Sequence, residues 1–158
     1  MKIQVVAVGG IRGPLEPAVE EYRIRASRYW SLEVVEVDAG APGRKVDPDR
    51  VRAAEAERLR GRLSADADWW VLTREGKALS SPQLARLLDD RVLLGGREVA
   101  FILGGAFGVD EALKREAARR ISLGSVTLPH EMARLVVLEQ LYRAGTILRN
   151  EPYHKGAL

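Results

Sequence analysis

The chain has 158 residues, which is the size of one folded domain and too short for two independent cores of ordinary size. Hydrophobic residues make up 46% of it and charged residues 30%, a globular rather than a disordered composition. The absence of cysteine excludes disulfides, thiolate metal sites and a cysteine nucleophile. Because there are two histidines and no apolar run of membrane-spanning length, we expect a cytoplasmic protein without a metal or a membrane contact.

The formal net charge of +3 is unevenly distributed along the chain. Residues 1–113 hold 17 basic and 18 acidic side chains, whereas residues 114–158 hold 8 basic and 4 acidic ones. A charge of +3 does not by itself indicate a nucleic-acid partner, and a solvated helix face would explain the basic residues equally well. The positive charge nevertheless belongs to the C-terminal third of the chain.

Five apolar runs alternate along the chain with five segments of helical pattern. The predicted strands are residues 3–8, 32–37, 69–73, 99–103 and 125–128. The predicted helices are residues 15–29, 48–63 behind an Asp47 cap, 83–94 after Ser81-Pro82, 111–120 behind an Asp110 cap, and 131–148. Three strands are continuously apolar, which is typical of strands covered on both faces. The pattern predicts an α/β domain with a mostly parallel sheet, in which ligands bind beyond the carboxyl ends of the strands.

Glycine-rich stretches follow two of these strands. Residues 9–13 read GGIRG and Asp38 ends the second strand, but Val8 stands where a dinucleotide-binding fingerprint needs glycine, so we favour an ordinary turn there. Residues 104–108 read GGAFG, which is either a turn or a place where the backbone approaches a ligand closely. No Lys-Ser/Thr pair follows, which excludes a P-loop.

The C-terminal residues hold most of the candidate chemistry. His130 stands where the last helix begins, a position at which histidine either caps a helix or serves a site at a strand end. The last helix is apolar on more than one face, which predicts contacts with the sheet and with a second subunit. Glu139 and Arg143 form an i, i+4 pair on its polar strip. Tyr153, His154 and Lys155 have side chains that can stack on a base, exchange a proton and contact a phosphate.

Taken together, these segments resemble one family of proteins. The segments are the start KIQVVAVG, the ILGGxxG segment at 102–108, SLGSVTLPHEMARLVVLEQLYRA at 122–144 and the ending PYHK at 152–155. They resemble the RlmH family, the ribosomal RNA large subunit methyltransferases H of the SPOUT (α/β-knot) superfamily. The resemblance covers essentially the whole chain.

The resemblance implies both a fold and an activity. The fold would be a SPOUT-type α/β knot in one domain over 1–158, with a mostly parallel sheet of five or six strands flanked by helices. A C-terminal trefoil knot and the cofactor region would occupy about 99–150, and a functional tail 151–158. The activity would be transfer of a methyl group from S-adenosylmethionine to N3 of the pseudouridine at position 1915 of 23S rRNA, by a homodimer acting on the 70S ribosome.

The resemblance also implies roles for individual residues. Cofactor contacts of the family map onto Leu72, Gly104, Leu123, Gly124, Ser125, Val126, Thr127 and Leu128. Among the catalytic candidates, His154 or Glu139 would accept the proton from N3, Arg143 or Arg134 would hold the anion or a phosphate, and Tyr153 would position the base. Lys155 would contact the RNA, and His130 would act in the site or shape the cofactor loop.

Three stretches depart from the usual pattern of the family. The glycine loop reads GGAFG, Arg74 and Glu75 stand where apolar residues are common, and Gly156-Ala157-Leu158 extends the usual ending. Two alternatives stay open: a SPOUT methyltransferase acting on transfer RNA or on a ribose 2′-hydroxyl, and a ribosome assembly factor that has lost catalysis.

Overall fold

Residues 1–155, which the computed structural model describes, form five strands and five α-helices. The strands are β1 (Lys2–Val8), β2 (Ser31–Val37), β3 (Asp68–Ala78), β4 (Val99–Leu103) and β5 (Arg119–Ser122). The helices are α1 (Glu16–Ala26), α2 (Pro48–Arg62), α3 (Ser81–Leu93), α4 (Glu111–Glu116) and α5 (His130–Leu148), followed by a 3₁₀ turn, Pro152–His154. The strands pair in parallel in the order β2-β1-β4-β3-β5, which confirms the predicted fold class. The Gly156-Ala157-Leu158 extension lies outside the described residues.

Helix starts follow the capping residues in the sequence. The Asp47 side chain accepts a hydrogen bond from the Asp49 backbone N–H at 3.0 Å, and that of Asp110 accepts one from Ala112 at 3.1 Å, as predicted. At α3 the cap is Ser80, whose side chain accepts from the Gln83 N–H while the Gln83 side chain accepts from the Ser80 N–H. The third predicted helix therefore begins two residues earlier than expected.

The prediction for residues 111–128 is wrong in two places. The helix ends at Glu116 instead of continuing to residue 120, and the fifth strand is β5 instead of 125–128. The Ala118 N–H donates to the Trp69 carbonyl at 2.8 Å, and the residues that follow pair with β3, so pairing with the sheet overrides the helical pattern of this segment. Residues 123–129 form a loop, in which Gly124 has a φ of 120°.

Apolar side chains alternate along β1 between two cores. Ile3, Val5 and Ala7 face the layer formed by α1, α3 and α5, while Val6 and Val8 face α2 and α4. In the first core Trp70 and Phe101 meet edge to face, with ring centroids 5.4 Å apart. The sheet is therefore covered on both faces, as its apolar strands predict.

Strand β3 is longer than predicted and loops out of the ladder it forms with β5. Leu72 and Lys77 both lie opposite Ile121, so residues 73–76 are extra to the pairing. At Gly76 a Cβ would lie 2.6 Å from both the backbone N and C atoms of Ile121. The glycine allows the looped segment to close against β5.

We expect Gly76→Ala to lower the free energy of unfolding by about 1 to 3 kcal/mol, because the new methyl group would push β5 away from β3. Gly61→Ala is the matched control, since nothing lies within 4 Å of a Cβ at this helical position. That control should stabilise the protein by about 0.5 to 1 kcal/mol. Urea denaturation of both variants tests this; equal stabilities would contradict the close approach at Gly76.

Candidate functional site

A cleft of about 480 Å³ opens at the carboxyl ends of β4 and β5 and at residues 72–75, where β3 leaves its ladder with β5. Its lining includes seven of the eight residues predicted to bind the cofactor: Leu72, Gly104, Leu123, Gly124, Val126, Thr127 and Leu128. Ser125 is in the same loop but does not line the cleft. The structure therefore brings together residues that are up to 56 positions apart, at the edge of the sheet where ligands of parallel α/β folds bind.

An apolar slot of about 310 Å³ adjoins this cleft and shares Leu72 and residues 122–124 with it. The rest of the slot is mainly apolar, with Phe101 and Ile121 from the sheet, Leu84 from α3, and Val136 and Val137 from α5. A narrow apolar slot beside a polar cleft suits a ligand with a planar ring at one end and charged groups at the other. Sequence reasoning missed the contributions of α3 and α5 because it considered only the ends of strands.

The GGAFG loop folds tightly back on itself beneath the cleft. The Gly108 N–H donates to the Gly105 carbonyl at 3.0 Å, and a Cβ at Gly104 would lie 2.8 Å from the backbone C of Gly108 and from the Val109 Cγ2. Gly104 is therefore required by the turn itself. This turn fixes the position of the backbone of residues 104–108, which lines the cleft.

Charged side chains, Arg74 and Glu75 among them, form the mouth of the cleft. The Lys114 ammonium contacts Glu75 at 2.8 Å and Glu111 at 3.2 Å, and its hydrogen bond is the main reason why the pKa of Glu75 falls to about 2. The Arg74 Nη1 donates to the Thr127 Oγ1 at 3.2 Å, which links the segment looped out of β3 to the loop 123–129. Glu75 thus has a cationic partner in this chain, and Arg74 spans one side of the cleft.

His130 and Arg134 stand one helical turn apart but have different surroundings. His130 begins α5 and lines the cleft, with its Nε2 3.8 Å from Glu131. The Arg134 side chain is only 3% exposed; its Nη2 donates to the Gly9 carbonyl at 2.6 Å and its Nη1 lies 3.1 Å from a Glu36 oxygen. In this chain the Arg134 guanidinium fastens α5 to the ends of β1 and β2. Its contact with an RNA phosphate stays a prediction.

A second group of predicted residues meets where the tail packs on α1 and α5, and we call Tyr22, Glu139, Arg143, Tyr153 and His154 the tail cluster. One Glu139 oxygen accepts hydrogen bonds from the Arg143 Nε at 3.0 Å, the Arg143 Nη2 at 2.6 Å and the Tyr153 hydroxyl at 3.1 Å. The Tyr153 hydroxyl also lies 3.2 Å from that of Tyr22. The predicted i, i+4 pair therefore exists and holds the tail tyrosine.

The surroundings of the tail cluster distinguish its two candidate proton acceptors, Glu139 and His154. Burial, the hydrogen bond with Tyr22 and the negative charge of Glu139 all raise the pKa of Tyr153, so its hydroxyl keeps its proton. The other Glu139 oxygen accepts from Gln140 at 2.7 Å, so both carboxylate oxygens are already engaged. The Nδ1 of His154 is buried and has no hydrogen-bond partner among residues 1–155. Of the two candidates, His154 is the one with a ring nitrogen that has no hydrogen-bond partner within residues 1–155, and this nitrogen is shielded from solvent in the single chain.

The cleft and the tail cluster lie in different places along α5. This helix has 19 residues and is about 27 Å long. His130, at its start, lines the cleft, whereas the tail that carries Tyr153, His154 and the exposed Lys155 follows its end. Within one chain the structure thus forms two groups of predicted residues, and it does not join them.

The sequence reading missed the tyrosines that receive the tail. The Tyr29 hydroxyl donates to Glu151, and burial is the first cause of the rise in the pKa of Tyr29 to about 12. The ring of Tyr142 lies 4.5 Å from that of Tyr153. A signal existed in the sequence: Tyr22 and Tyr29 are seven positions apart, which places them on one face of the predicted helix 15–29, although in the structure Tyr29 follows the end of α1.

Within residues 1–155 no group of three or more histidine, aspartate or glutamate side chains is placed to hold a metal ion. In the same residues, no helix has both the length and the apolar character needed to cross a membrane.

Comparisons with known proteins identify the family. Residues 1–154 match a family model described as a predicted SPOUT methyltransferase. A Gemmatimonas aurantiaca protein named ribosomal RNA large subunit methyltransferase H is 47% identical over 156 residues, covering 98% of this chain and 100% of its own length. A protein of the same name from Acetivibrio thermocellus is 40% identical over 159 residues, with coverage of 98% and 100%.

The fold has a counterpart among solved structures. A probable methylase family protein from Haemophilus influenzae Rd KW20 superposes with a TM-score of 0.53 at 12% identity, covering 99% of this chain and 71% of that one. At such low identity this likeness shows the fold alone, and it agrees with the α/β architecture. From the family model and the relatives of equal length, the chain belongs to the ribosomal RNA large subunit methyltransferase H family of SPOUT methyltransferases.

Proposed function

We propose that this protein transfers a methyl group from S-adenosylmethionine to N3 of the pseudouridine at position 1915 of 23S rRNA, in the assembled 70S ribosome. One observation supports the proposal above all. Seven of eight predicted cofactor residues meet in one cleft, in a chain whose full-length relatives carry the name of a large-subunit rRNA methyltransferase. Since ribosomes are its substrate, we expect the reaction in the cytoplasm.

The residues of the cleft fit this cofactor. The apolar slot beside Leu72 suits the adenine ring, and the charged mouth suits the amino-acid end. Gly104 and the loop 123–128 offer backbone N–H and C=O groups to the nucleoside. When bound, the cofactor supplies a methyl group made electrophilic by its attachment to a sulfonium sulfur.

The chain's own residues would prepare the acceptor nitrogen. The N3–H of a uracil ring is weakly acidic, so its proton must leave before the nitrogen can attack. His154 accepts that proton at a ring nitrogen, and the Arg143 guanidinium stabilises the negative charge left on the ring. Tyr153 positions the base, while Glu139 holds both Tyr153 and Arg143 through its hydrogen bonds. Holding nitrogen and methyl group in line supplies much of the remaining rate.

A homodimer would complete the site. The cleft and the tail cluster stand apart in one chain, so we propose that the tail of a second copy reaches the cleft of the first. Apolar side chains remain exposed on the two helices that carry the tail cluster: Ile24 is 45% exposed on α1, and Met132 and Leu148 are each 37% exposed on α5. We also propose that residues 99–150 or so form a C-terminal trefoil knot and that residues 1–158 form a single domain.

The test is methylation of 70S ribosomes that lack the modification, followed by mass mapping of the 23S rRNA nucleosides. We expect one methyl group on the pseudouridine at position 1915, and a lower rate on isolated 50S subunits. Methylation of transfer RNA or of a ribose hydroxyl instead would favour another SPOUT activity. Failure to bind S-adenosylmethionine in a calorimetric titration would favour an assembly factor.

A further inference from the structure

A second groove, also of about 480 Å³, lies between α3 and β5, at the free edge of the sheet. Four cationic side chains line it, together with one carboxylate, Asp90. We call these four the basic groove: Lys77, Arg86, Arg119 and Arg120. The rest of the lining is mostly apolar. The groove therefore offers a concentrated positive charge on a surface that the proposed mechanism does not use.

The positive charge of the basic groove is compensated only in part: Asp90 is the one carboxylate in its lining, and the Arg120 Nε donates to the Lys114 carbonyl at 3.3 Å. Among residues 1–155, none of its four cations has a carboxylate oxygen within 4.0 Å, whereas Lys114 nearby has two such partners. The Arg119 Nε is buried with no hydrogen-bond partner in the described chain, and its guanidinium stacks 5.6 Å from the centre of the Trp70 ring. Four cations beside one carboxylate leave an excess of positive charge, so the arrangement favours an anionic ligand.

The basic groove leads directly to the cofactor cleft. Arg119 and Arg120 are the first residues of β5, and β5 continues into the cofactor loop at Leu123. From Arg120 to Leu123 the chain spans about 10 Å. Lys77 lies opposite Ile121, between these two points. An extended anionic chain in the groove would therefore enter the cleft beside the methyl donor.

Protection of the edge strand β5 against pairing with other strands does not explain all four cations of the basic groove. Charged residues on an edge strand prevent other strands from pairing with it, which would account for Arg119 and Arg120. That role requires charge on β5 only. Lys77 reaches the same groove from β3, and Arg86 reaches it from α3.

We infer that the basic groove binds the phosphate backbone of the rRNA strand that flanks the target nucleotide. The inference rests on the proposed function. Phosphates spaced along a single RNA strand match a groove lined by cations from β5, β3 and α3, and arginine binds phosphate through two parallel hydrogen bonds. Such contacts position the RNA without reading its sequence.

The test compares two triple variants with the same change of charge. The first is Lys77→Gln, Arg86→Gln and Arg120→Gln, which leaves the packed Arg119 in place; the second, a control, is Arg44→Gln, Lys45→Gln and Arg62→Gln. All six side chains are exposed, so both proteins should fold. We expect the groove variant to raise the KM for 70S ribosomes at least 10-fold and to leave the affinity for S-adenosylhomocysteine unchanged.

Salt dependence supplies the second measurement. Losing three phosphate contacts should reduce the slope of log affinity against log salt by about 2, because each contact contributes about 0.7 for a single strand. A groove variant with the KM and salt slope of the control would overturn the inference while leaving the proposed function intact. If the unmodified protein neither binds S-adenosylhomocysteine nor methylates ribosomes, the proposed function itself fails. Lys77→Arg, Arg86→Lys and Arg120→Lys, which keep the charge, should restore most of the affinity for ribosomes.

Discussion

Replacement of His154 by alanine is expected to slow methyl transfer to 70S ribosomes by about 100-fold or more, with no change in the affinity for S-adenosylhomocysteine. The reason is that His154 has an uncommitted ring nitrogen, whereas both oxygens of Glu139 already accept hydrogen bonds. Single-turnover methylation measures the first quantity and calorimetry the second. Tyr153→Phe should have a smaller effect, since it removes the hydroxyl but keeps the ring.

His130 provides the comparison, since it is the other histidine of the chain and it lines the cleft. His130→Ala should weaken binding of S-adenosylhomocysteine, which His154→Ala should not. Full methylation by both His154→Ala and Tyr153→Phe would mean that the tail has no catalytic role.

Mixing His154→Ala with a variant that cannot bind the cofactor adds a test of the dimer. If the tail serves the partner's cleft, mixed dimers regain one working site.

Replacement of Gly104 by alanine is expected to weaken binding of S-adenosylhomocysteine at least 10-fold and to lower methyl transfer in proportion. A Cβ there would stand 2.8 Å from the Gly108 backbone and 2.8 Å from the Val109 side chain, so the GGAFG turn would have to open. Calorimetric titration measures the change in affinity. The control is Gly61→Ala, a glycine outside the cleft lining where nothing lies within 4 Å of a Cβ, and this variant should bind normally. Equal affinities for the two variants would show that the turn does not shape the cleft.

The sequence predicted the α/β class because alternating apolar and helical patterns are long and regular in the first four strands. It failed at residues 111–128, where Arg119 and Arg120 continue a helical pattern but pair with β3. A strand of four residues has too little pattern of its own, and its partner is more than forty residues away in the sequence. The pattern therefore predicts the strand on the next apolar run, residues 125–128, which lies in the loop 123–129 of the structure.

For the candidate site, too, one part could be predicted from the sequence and another part could not. The residues that line the cleft followed from the resemblance and from the rule about strand ends. The burial of Arg134 did not, since its partner Gly9 is 125 positions away and no local pattern reports that contact. The separation of His130 from the tail is likewise a property of the length and packing of α5. Helical spacing places residues on a face but does not say which neighbour covers it.

The segment looped out of β3 has an evolutionary consequence. Leu72 and Lys77 share Ile121 as their pairing partner, so Thr73, Arg74 and Glu75 between them can be exchanged without shifting the register of the sheet, whereas Gly76 has to stay small. These residues include Arg74 and Glu75, which form part of the cleft mouth. Selection can therefore alter the mouth of this cleft while the strands beneath it stay fixed.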